Sequence, residues 1–196
     1  SKRIRIGLEH LRFRLKIMIR LIRVSLGGIG QFIIATSSWV FLMKIMAEFG
    51  SISVAGYTIA VRILIFSILP SWGMSNATAT LVGQNLGAEK PERAVTSTWI
   101  ATTINVLFLG SIGILIFFFS EVLMQIFTKD PEIISIGVTT LKVMSFGYVS
   151  YGFGMVIVQA LNGAGDTMTP TIINFICFWL IEIPLAYYLA LEFGFN

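Results

Sequence analysis

Five long stretches with almost no charge dominate the pattern of this chain. Charged residues are absent from residues 24–43, 63–88, 94–120 and 143–165, and Glu182 is the one charge in residues 171–191. A helix that crosses the hydrocarbon core of a bilayer needs about 20 mostly apolar residues. Because lipid offers no partner to an unpaired backbone group, apolar stretches of this length form helices. The pattern therefore predicts an all-α integral membrane protein with about five transmembrane helices.

Polar segments with glycine or proline separate these stretches. Loops are predicted at residues 83–93, 121–132 and 162–170, and Gly50 ends the first helix. The expected helices cover about residues 24–47, 53–82, 94–120, 133–161 and 171–191, with Pro70 inside the second. We expect residues 24–196 to form one transmembrane unit.

Composition excludes several classes of function. The chain has 196 residues, of which 56% are hydrophobic and 12% are charged, whereas soluble domains carry about 25% charged residues. One cysteine, Cys177, excludes a disulfide framework. The only histidine is His10, and cysteine, histidine and acidic residues nowhere cluster with metal-ligand spacing. The sequence therefore predicts no metal centre. We expect neither an enzyme nor a cofactor.

The first 23 residues are strongly basic. Eight of the fourteen lysines and arginines precede Ser25. The charges recur every three or four residues on one helical face, at Arg5, Glu9, Arg12, Lys16, Arg20 and Arg23. Such a helix can lie on an anionic membrane surface, and a solvated basic connector is the alternative. We do not expect nucleic acid as a partner, because this segment adjoins a membrane span. The expected partner is the lipid bilayer.

Lysine and arginine near the span ends also predict orientation. Cytoplasmic loops carry an excess of these residues. The basic segment is therefore expected in the cytoplasm, as is the loop with Lys90 and Arg93, while the loop with only Lys129 is external. The predicted location is the plasma (inner) membrane.

Four charged residues fall within the predicted spans. Lys44 lies close to a span end and can snorkel, which leaves Arg62, Lys142 and Glu182. Such groups are costly at membrane depth and usually mark function. Pro184 cannot donate to the carbonyl of Leu180, so Glu182 lies beside free backbone oxygen. It could hold a cation or a proton, as in the broken helices of transporters. The alternative is a structural carboxylate paired with Arg62 or Lys142.

Arg62 shares a helical face with polar and small residues, among them Gly73, Asn76 and Thr80. With Pro70 between them, this face suits the wall of a cavity in a bent helix. A buried counter-ion that fixes helix packing is the alternative. Lys142 fits a structural or snorkelling lysine.

Uncharged polar residues form weaker stripes along three other helices. Gln31 and Ser38 share one face; Thr98, Thr102 and Asn105 share another; Ser145, Gly152 and Gln159 share a third. They can line a polar path or join helices to one another. The cavity, ion or substrate candidates are Glu182, Arg62, Asn76, Gln31 and Gln159.

The two predicted cytoplasmic loops carry sequence motifs. Residues 79–88 are ATLVGQNLGA, and residues 159–167 are QALNGAGDT, followed by Pro170. In this order, separated by a helical hairpin, they resemble the multidrug and toxic compound extrusion (MATE) family. That family has a VGQ-x-LGA turn after the second helix of each half and a G-x-GDT-x-x-P turn after the fourth. The resemblance covers nearly the whole chain from about Leu26.

The motif residues have structural explanations. Glycine permits tight backbone at the membrane surface, and Asp166 or Thr167 can cap the next helix. We expect structural roles, with gating as the alternative, for the loop residues Gly83, Gln84, Gly87, Gly163, Gly165, Asp166 and Pro170.

The resemblance implies twelve helices in two lobes, of which this chain would supply helices seven to eleven in the C-terminal lobe. Its partner would be an N-terminal lobe outside this sequence. The family exports organic cations and other amphipathic compounds in exchange for Na⁺ or H⁺. Some members carry acids midway along the seventh and tenth helices, where this chain has Ala35 and Tyr151. The alternatives are a related flippase for a lipid-linked precursor and a non-transporting membrane scaffold subunit.

Overall fold

The computed structural model describes residues 14–192. These form five long helices, α1 Leu15–Ala47, α2 Ser51–Gly87, α3 Pro91–Gln125, α4 Pro131–Phe146 and α5 Tyr148–Gly163. The last helix follows, made of α6 Met168–Asn174, a π-helical segment Phe175–Glu182, α7 Ile183–Tyr187 and a second π-helical segment Tyr188–Glu192. The first 13 residues of the predicted basic segment lie outside this description.

The apolar helices fit a membrane protein. In the described part of the chain, α1, α2, α3 and Met168–Ala190 are each long and apolar enough to cross a bilayer. The pair α4 and α5 passes the same test as one span bent by 54°, which makes five. The predicted all-α membrane fold is confirmed. Helices α1, α2 and α3 are longer than the corresponding charge-free stretches, and α1 already begins at Leu15, inside the predicted basic connector.

The bend between α4 and α5 occurs at Gly147. Its N–H donates to the carbonyl of Met144, one residue closer than in an α-helix, at 3.0 Å. Ser145 Oγ donates to the carbonyl of Lys142 at 2.7 Å. Glycine and serine close together are a common cause of kinks. In contrast, α2 continues through Pro70 as one helix.

Helices α2, α3, α4 and α5 form a four-helix body. Their buried side chains make one core, formed by Ala60, Leu64, Leu109, Ile116, Met124, Leu141 and Tyr148. Glycines allow the helix backbones to approach closely. A Cβ on Gly113, for example, would lie only 2.9 Å from the carbonyl oxygen of Ser145. Close approach at small residues is how membrane helices gain packing energy.

Helix α1 packs mainly on the last helix, and the two form a helix pair. The Phe41 and Trp179 rings meet edge to face with centroids 5.2 Å apart. Trp179 Nε1 also donates to the carbonyl of Ile34 at 3.4 Å. A Cβ on Gly27 would overlap the side chain of Thr167, so α1 also fits closely against the turn before α6.

Candidate functional site

A buried amide joins three helices of the four-helix body. Asn105 is fully buried; its Oδ1 accepts from Ser71 Oγ on α2, and its Nδ2 donates to the Gly152 carbonyl on α5 at 2.9 Å. Thr98 and Thr102 are also buried and donate to carbonyls of their own helix. Of the two roles considered for this stripe, joining helices fits Asn105, whereas Thr98 and Thr102 bond within α3.

A second polar contact lies near Pro70. The hydroxyls of Ser67 and Tyr148 are 2.5 Å apart, and Tyr148 Oη also donates to the carbonyl of Leu64 at 3.2 Å. These bonds tie the start of α5 to the middle of α2. Together with the bonds of Asn105, they are side-chain contacts that join helices inside the described body.

Four side-chain amides form a chain across three helices. Asn76 Oδ1 on α2 accepts from Gln159 Nε2 on α5 at 2.9 Å, and Gln159 Oε1 accepts from Asn162 Nδ2 at 3.2 Å. Asn162 and Gln31 of α1 bond to each other in both directions, at 3.0 and 3.4 Å. Gln31 Nε2 also donates to the carbonyl of Thr167 at 3.1 Å. The structure thus brings together three predicted candidates, Asn76, Gln159 and Gln31.

The two loop motifs pack against each other. A Cβ on Gly163 would overlap the backbone of Ala79, and a Cβ on Gly83 would lie 3.2 Å from the carbonyl oxygen of Gly163. Gly165 has φ +87°, a conformation that favours glycine. Pro170 is buried, whereas Gln84 and Gly87 are exposed, and a Cβ on Gly87 would meet nothing within 4 Å.

Asp166 caps the start of the last helix. Its Oδ2 accepts from the Thr169 hydroxyl at 2.6 Å and its Oδ1 from the Thr169 N–H at 3.0 Å. These two donors hold the pKa of the exposed Asp166 carboxyl below its usual value, because they stabilise its charged form.

Glu182 lies between the two members of the helix pair. Its Oε2 accepts from Ser38 Oγ on α1 at 3.4 Å, and Ser38 is buried. Glu182 is half-buried and is the last residue of the π-helical segment Phe175–Glu182. The structure therefore pairs this carboxyl with a hydroxyl and not with Arg62 or Lys142, the partners in the alternative interpretation.

The two cations lie elsewhere. Arg62 is exposed on α2 and takes no part in the amide chain. Lys142 is exposed on α4, with Nζ 5.8 Å from the centroid of the Phe117 ring. Ala35 and Tyr151, at the positions where some family members carry acids, are also exposed.

A groove of about 770 Å³ separates the helix pair from the body. Its walls come from α1 and the segment after it, from α2, from α4 and from the last helix, and they are lined by residues that include Met46, Phe49, Tyr57, Thr140, Met144 and Ala186. Ligand pockets commonly have volumes of about 300–1,000 Å³. Leu42 and Ala186, which line the groove, lie four residues after Ser38 and Glu182, so the Ser38–Glu182 contact is about one turn beyond its edge.

The sequence does not single out four residues that the structure connects to these polar sites. Asn162 stands there only in a turn motif, and Ser67, Ser71 and Tyr148 are not among the candidates. Ser71 directly follows Pro70, a position where a helix often needs extra polar partners. That proximity was the one sequence feature that could have pointed to it.

Comparison with known proteins places the whole helical region in one group. Residues 29–188 match the family model described as MatE. A probable multidrug resistance protein NorM of Thermotoga maritima is 32% identical over 169 residues, which cover 85% of this chain and 36% of that protein. A probable multidrug resistance protein YoeA of Bacillus subtilis is 21% identical over 182 residues, covering 93% and 39%. The chain thus spans less than two fifths of the length of these relatives.

Two solved structures share the fold. A transporter of the MOP superfamily from Pyrococcus furiosus superposes with a TM-score of 0.87 at 22% identity, covering 94% of this chain and 42% of that one. A MATE crystallised in complex with MaD5 gives a TM-score of 0.85 at 23% identity, covering 94% and 41%. The arrangement of the body and the helix pair is therefore one that membrane transporters adopt.

Proposed function

The chain belongs to the MatE family, and on that ground we propose that it is part of a transporter that exports amphipathic organic cations in exchange for Na⁺ or H⁺. The observation that carries the proposal is the family match over residues 29–188, which runs through all five spans. The relatives named above are described as multidrug resistance proteins. This favours export of small compounds over the flippase and the scaffold.

The proposed transporter needs more than this chain. In our proposal, residues 24–192 supply most of a C-terminal lobe, and an N-terminal lobe forms the other wall of the pathway. Alternating access would come from movement of the lobes against each other. The transporter lies in the plasma (inner) membrane with its basic segment in the cytoplasm, because that segment and the loop with Lys90 and Arg93 carry the excess of positive charge. It requires no cofactor beyond the coupling ion.

Glu182 is our candidate for the residue that binds the coupling ion. It is half-buried in a membrane span, where an isolated charge is costly. Its hydrogen-bond partner in the described residues is Ser38, at 3.4 Å, and one hydroxyl compensates that charge incompletely. A proton or a cation at Glu182 would remove the remaining cost. Since Glu182 and Ser38 belong to different helices, occupancy would alter the contact between α1 and the last helix.

The groove is our candidate for a substrate contact within this lobe. Met46, Met144, Phe49 and Tyr57 give it soft and aromatic walls, which suit varied apolar ligands and cations. Arg62 and the exposed amide of Asn76 lie on another face of α2, where we propose that they face the pathway between the lobes. An arginine there disfavours cations and would bias the choice of substrate.

Transport of a fluorescent cationic dye by the full-length protein tests the proposal. Cells that lack other efflux pumps are loaded with dye, and its retention is followed before and after the sodium and proton gradients are collapsed separately. We expect gradient-dependent loss of dye, and the gradient that matters identifies the ion. If the protein is present in the membrane and dye is retained for a panel of cations, the proposal is wrong.

A further inference from the structure

The amide chain connects the four-helix body with the helix pair, which border the groove and also meet where α1 contacts α2. Asn76 and Gln159 belong to the four-helix body, and Asn162 lies in the last turn of α5 of the same body. Gln31 belongs to α1 in the helix pair. The reciprocal bonds between Gln31 and Asn162, at 3.0 and 3.4 Å, therefore cross from one part to the other.

The body side of this contact is fixed. Asn162 is followed by Gly163, whose Cα fits against the backbone of Ala79 with no space for a side chain. Gln159, which receives a hydrogen bond from Asn162, is itself bonded to Asn76 on α2 at 2.9 Å. The Asn162 amide is thus oriented from two directions before it meets α1.

On the side of the helix pair, the contact consists of few hydrogen bonds with defined partners. Gln31 is half-buried, and its amide nitrogen serves both Asn162 Oδ1 and the Thr167 carbonyl, at 3.0 and 3.1 Å. Interhelical amide bonds in membranes are individually weak, so they can be exchanged. In the last turns of α1 and just after it, Leu42, Ile45, Met46 and Phe49 line the groove. The Gln31 attachment to the body therefore lies at the middle of α1, before the part of the helix that lines the groove.

We propose that Gln31 and Asn162 are positioning residues that hold the helix pair on the four-helix body and so set the width of the groove. The bond acts as a reversible attachment at the middle of α1, which spans Leu15–Ala47. When it opens, α1 and the last helix move together, because the Ser38–Glu182 and Phe41–Trp179 contacts lie within the pair. The inference rests on the proposed transport function for its purpose but not for its test.

Distances between spin labels across the groove test the proposal in the full-length protein. The labels are attached to the substitutions Met46→Cys on α1 and Thr140→Cys on α4. Cys177 and any cysteine elsewhere in the full-length chain are replaced by serine. A second label pair, at Ile65 and Leu107, reports whether the body stays folded. Measurements are made in lipid nanodiscs without substrate.

We expect Gln31→Leu and Asn162→Leu each to broaden the Met46–Thr140 distance distribution and to shift it to longer distance, with the Ile65–Leu107 distances unchanged. The reciprocal exchange Gln31→Asn with Asn162→Gln keeps both donors and acceptors and the summed side-chain length. It should restore the narrow distribution. The matched control is Thr171→Val, which removes the bond from Thr171 Oγ1 to the Gly27 carbonyl at 3.1 Å within the pair and should change nothing.

An unchanged Met46–Thr140 distribution in Gln31→Leu, with a folded body, would overturn the proposal. So would an exchange variant as broad as the single variants, because that result would assign the effect to altered packing. Dye export is measured in parallel, and Gln31→Leu should lower its maximal rate several-fold more than it changes the KM. Absence of export by the unmodified protein would refute the transport function while leaving the distance result interpretable.

Discussion

The four-helix body and the helix pair are stabilised in different ways. The body has a continuous apolar core, glycine-mediated close packing and a fully buried amide, Asn105, that joins three helices. The two members of the pair are joined by the Ser38–Glu182 hydrogen bond and by the contacts of Trp179. Gly27 also packs closely against the side chain of Thr167. The only membrane-depth acid in the described residues lies in the pair. The comparison indicates that apolar packing dominates in the body, while the pair holds the acid for which we propose a role in ion coupling.

The largest effect should come from Glu182→Gln. The substitution keeps the size of the side chain and its bond to Ser38 but removes the charge, so ion-driven export should fall by about tenfold or more, which corresponds to a loss of at least about 1.4 kcal/mol. The comparison also predicts that the thermal unfolding of the purified protein changes little. Dye export and unfolding are measured together, and Glu121→Gln, an exposed acid at the end of α3, is the control.

Asn105→Leu should destabilise the body. It leaves the Ser71 hydroxyl and the Gly152 carbonyl without their side-chain partner, at a cost of about 1–3 kcal/mol. Thr103→Val, on the exposed side of the same helix, should cost about 0.5 kcal/mol or less. Unfolding of the purified protein in detergent measures both. Equal effects would mean that the buried amide is not what holds the three helices.

The glycines of the loop motifs should differ from each other. Gly163→Ala places a methyl group against the backbone of Ala79, and overpacking of this kind costs about 1–3 kcal/mol. Gly87→Ala meets nothing within 4 Å and should be near neutral. Yield and thermal stability of the two variants decide the question, and a tolerant Gly163 would show that the two motif turns separate readily.

The smallest effect concerns Asp166 and pH. Its folded-state pKa is lowered by the Thr169 hydroxyl and N–H, so its contribution to stability is present above the ordinary aspartate pKa of about 4. That contribution is lost as the pH falls through the lowered value. The difference in melting temperature between the unmodified protein and Asp166→Ala should therefore shrink below about pH 4. A difference that is constant from pH 7 to pH 3 would contradict this account.

Much of the fold could be predicted because lipid imposes a minimum length on apolar helices. The five spans follow from five stretches with almost no charge, but their ends do not, since α2 begins before its stretch and α3 extends beyond its stretch at both ends. The bend at Gly147 falls inside an apolar stretch, and hydropathy does not record it. The π-helical turns around Glu182 are equally invisible, because they change hydrogen bonding without changing polarity.

The polar sites were predictable as residues but not as contacts. Gln31, Asn76 and Gln159 stand out individually as amides inside apolar helices. Their connection needs Asn162, which sequence reasoning included only in a glycine-rich turn, and it joins positions 131 residues apart. For Glu182, pairing of opposite charges gives Arg62 or Lys142 as the alternative partners. The structure gives Ser38 instead, since helix α1 and the last helix are neighbours in space.

The contact between Gln31 and Asn162 is electrically neutral, and this separates it from Glu182 in an energised membrane. A potential of 100 mV changes the energy of one charge that crosses the bilayer by about 2.3 kcal/mol, while neutral amides carry no net charge on which the potential can act. The voltage and pH of a living cell can therefore act on the acid that joins the two helices of the pair. The amide attachment of that pair to the body keeps the same strength in a resting cell and in an energised one.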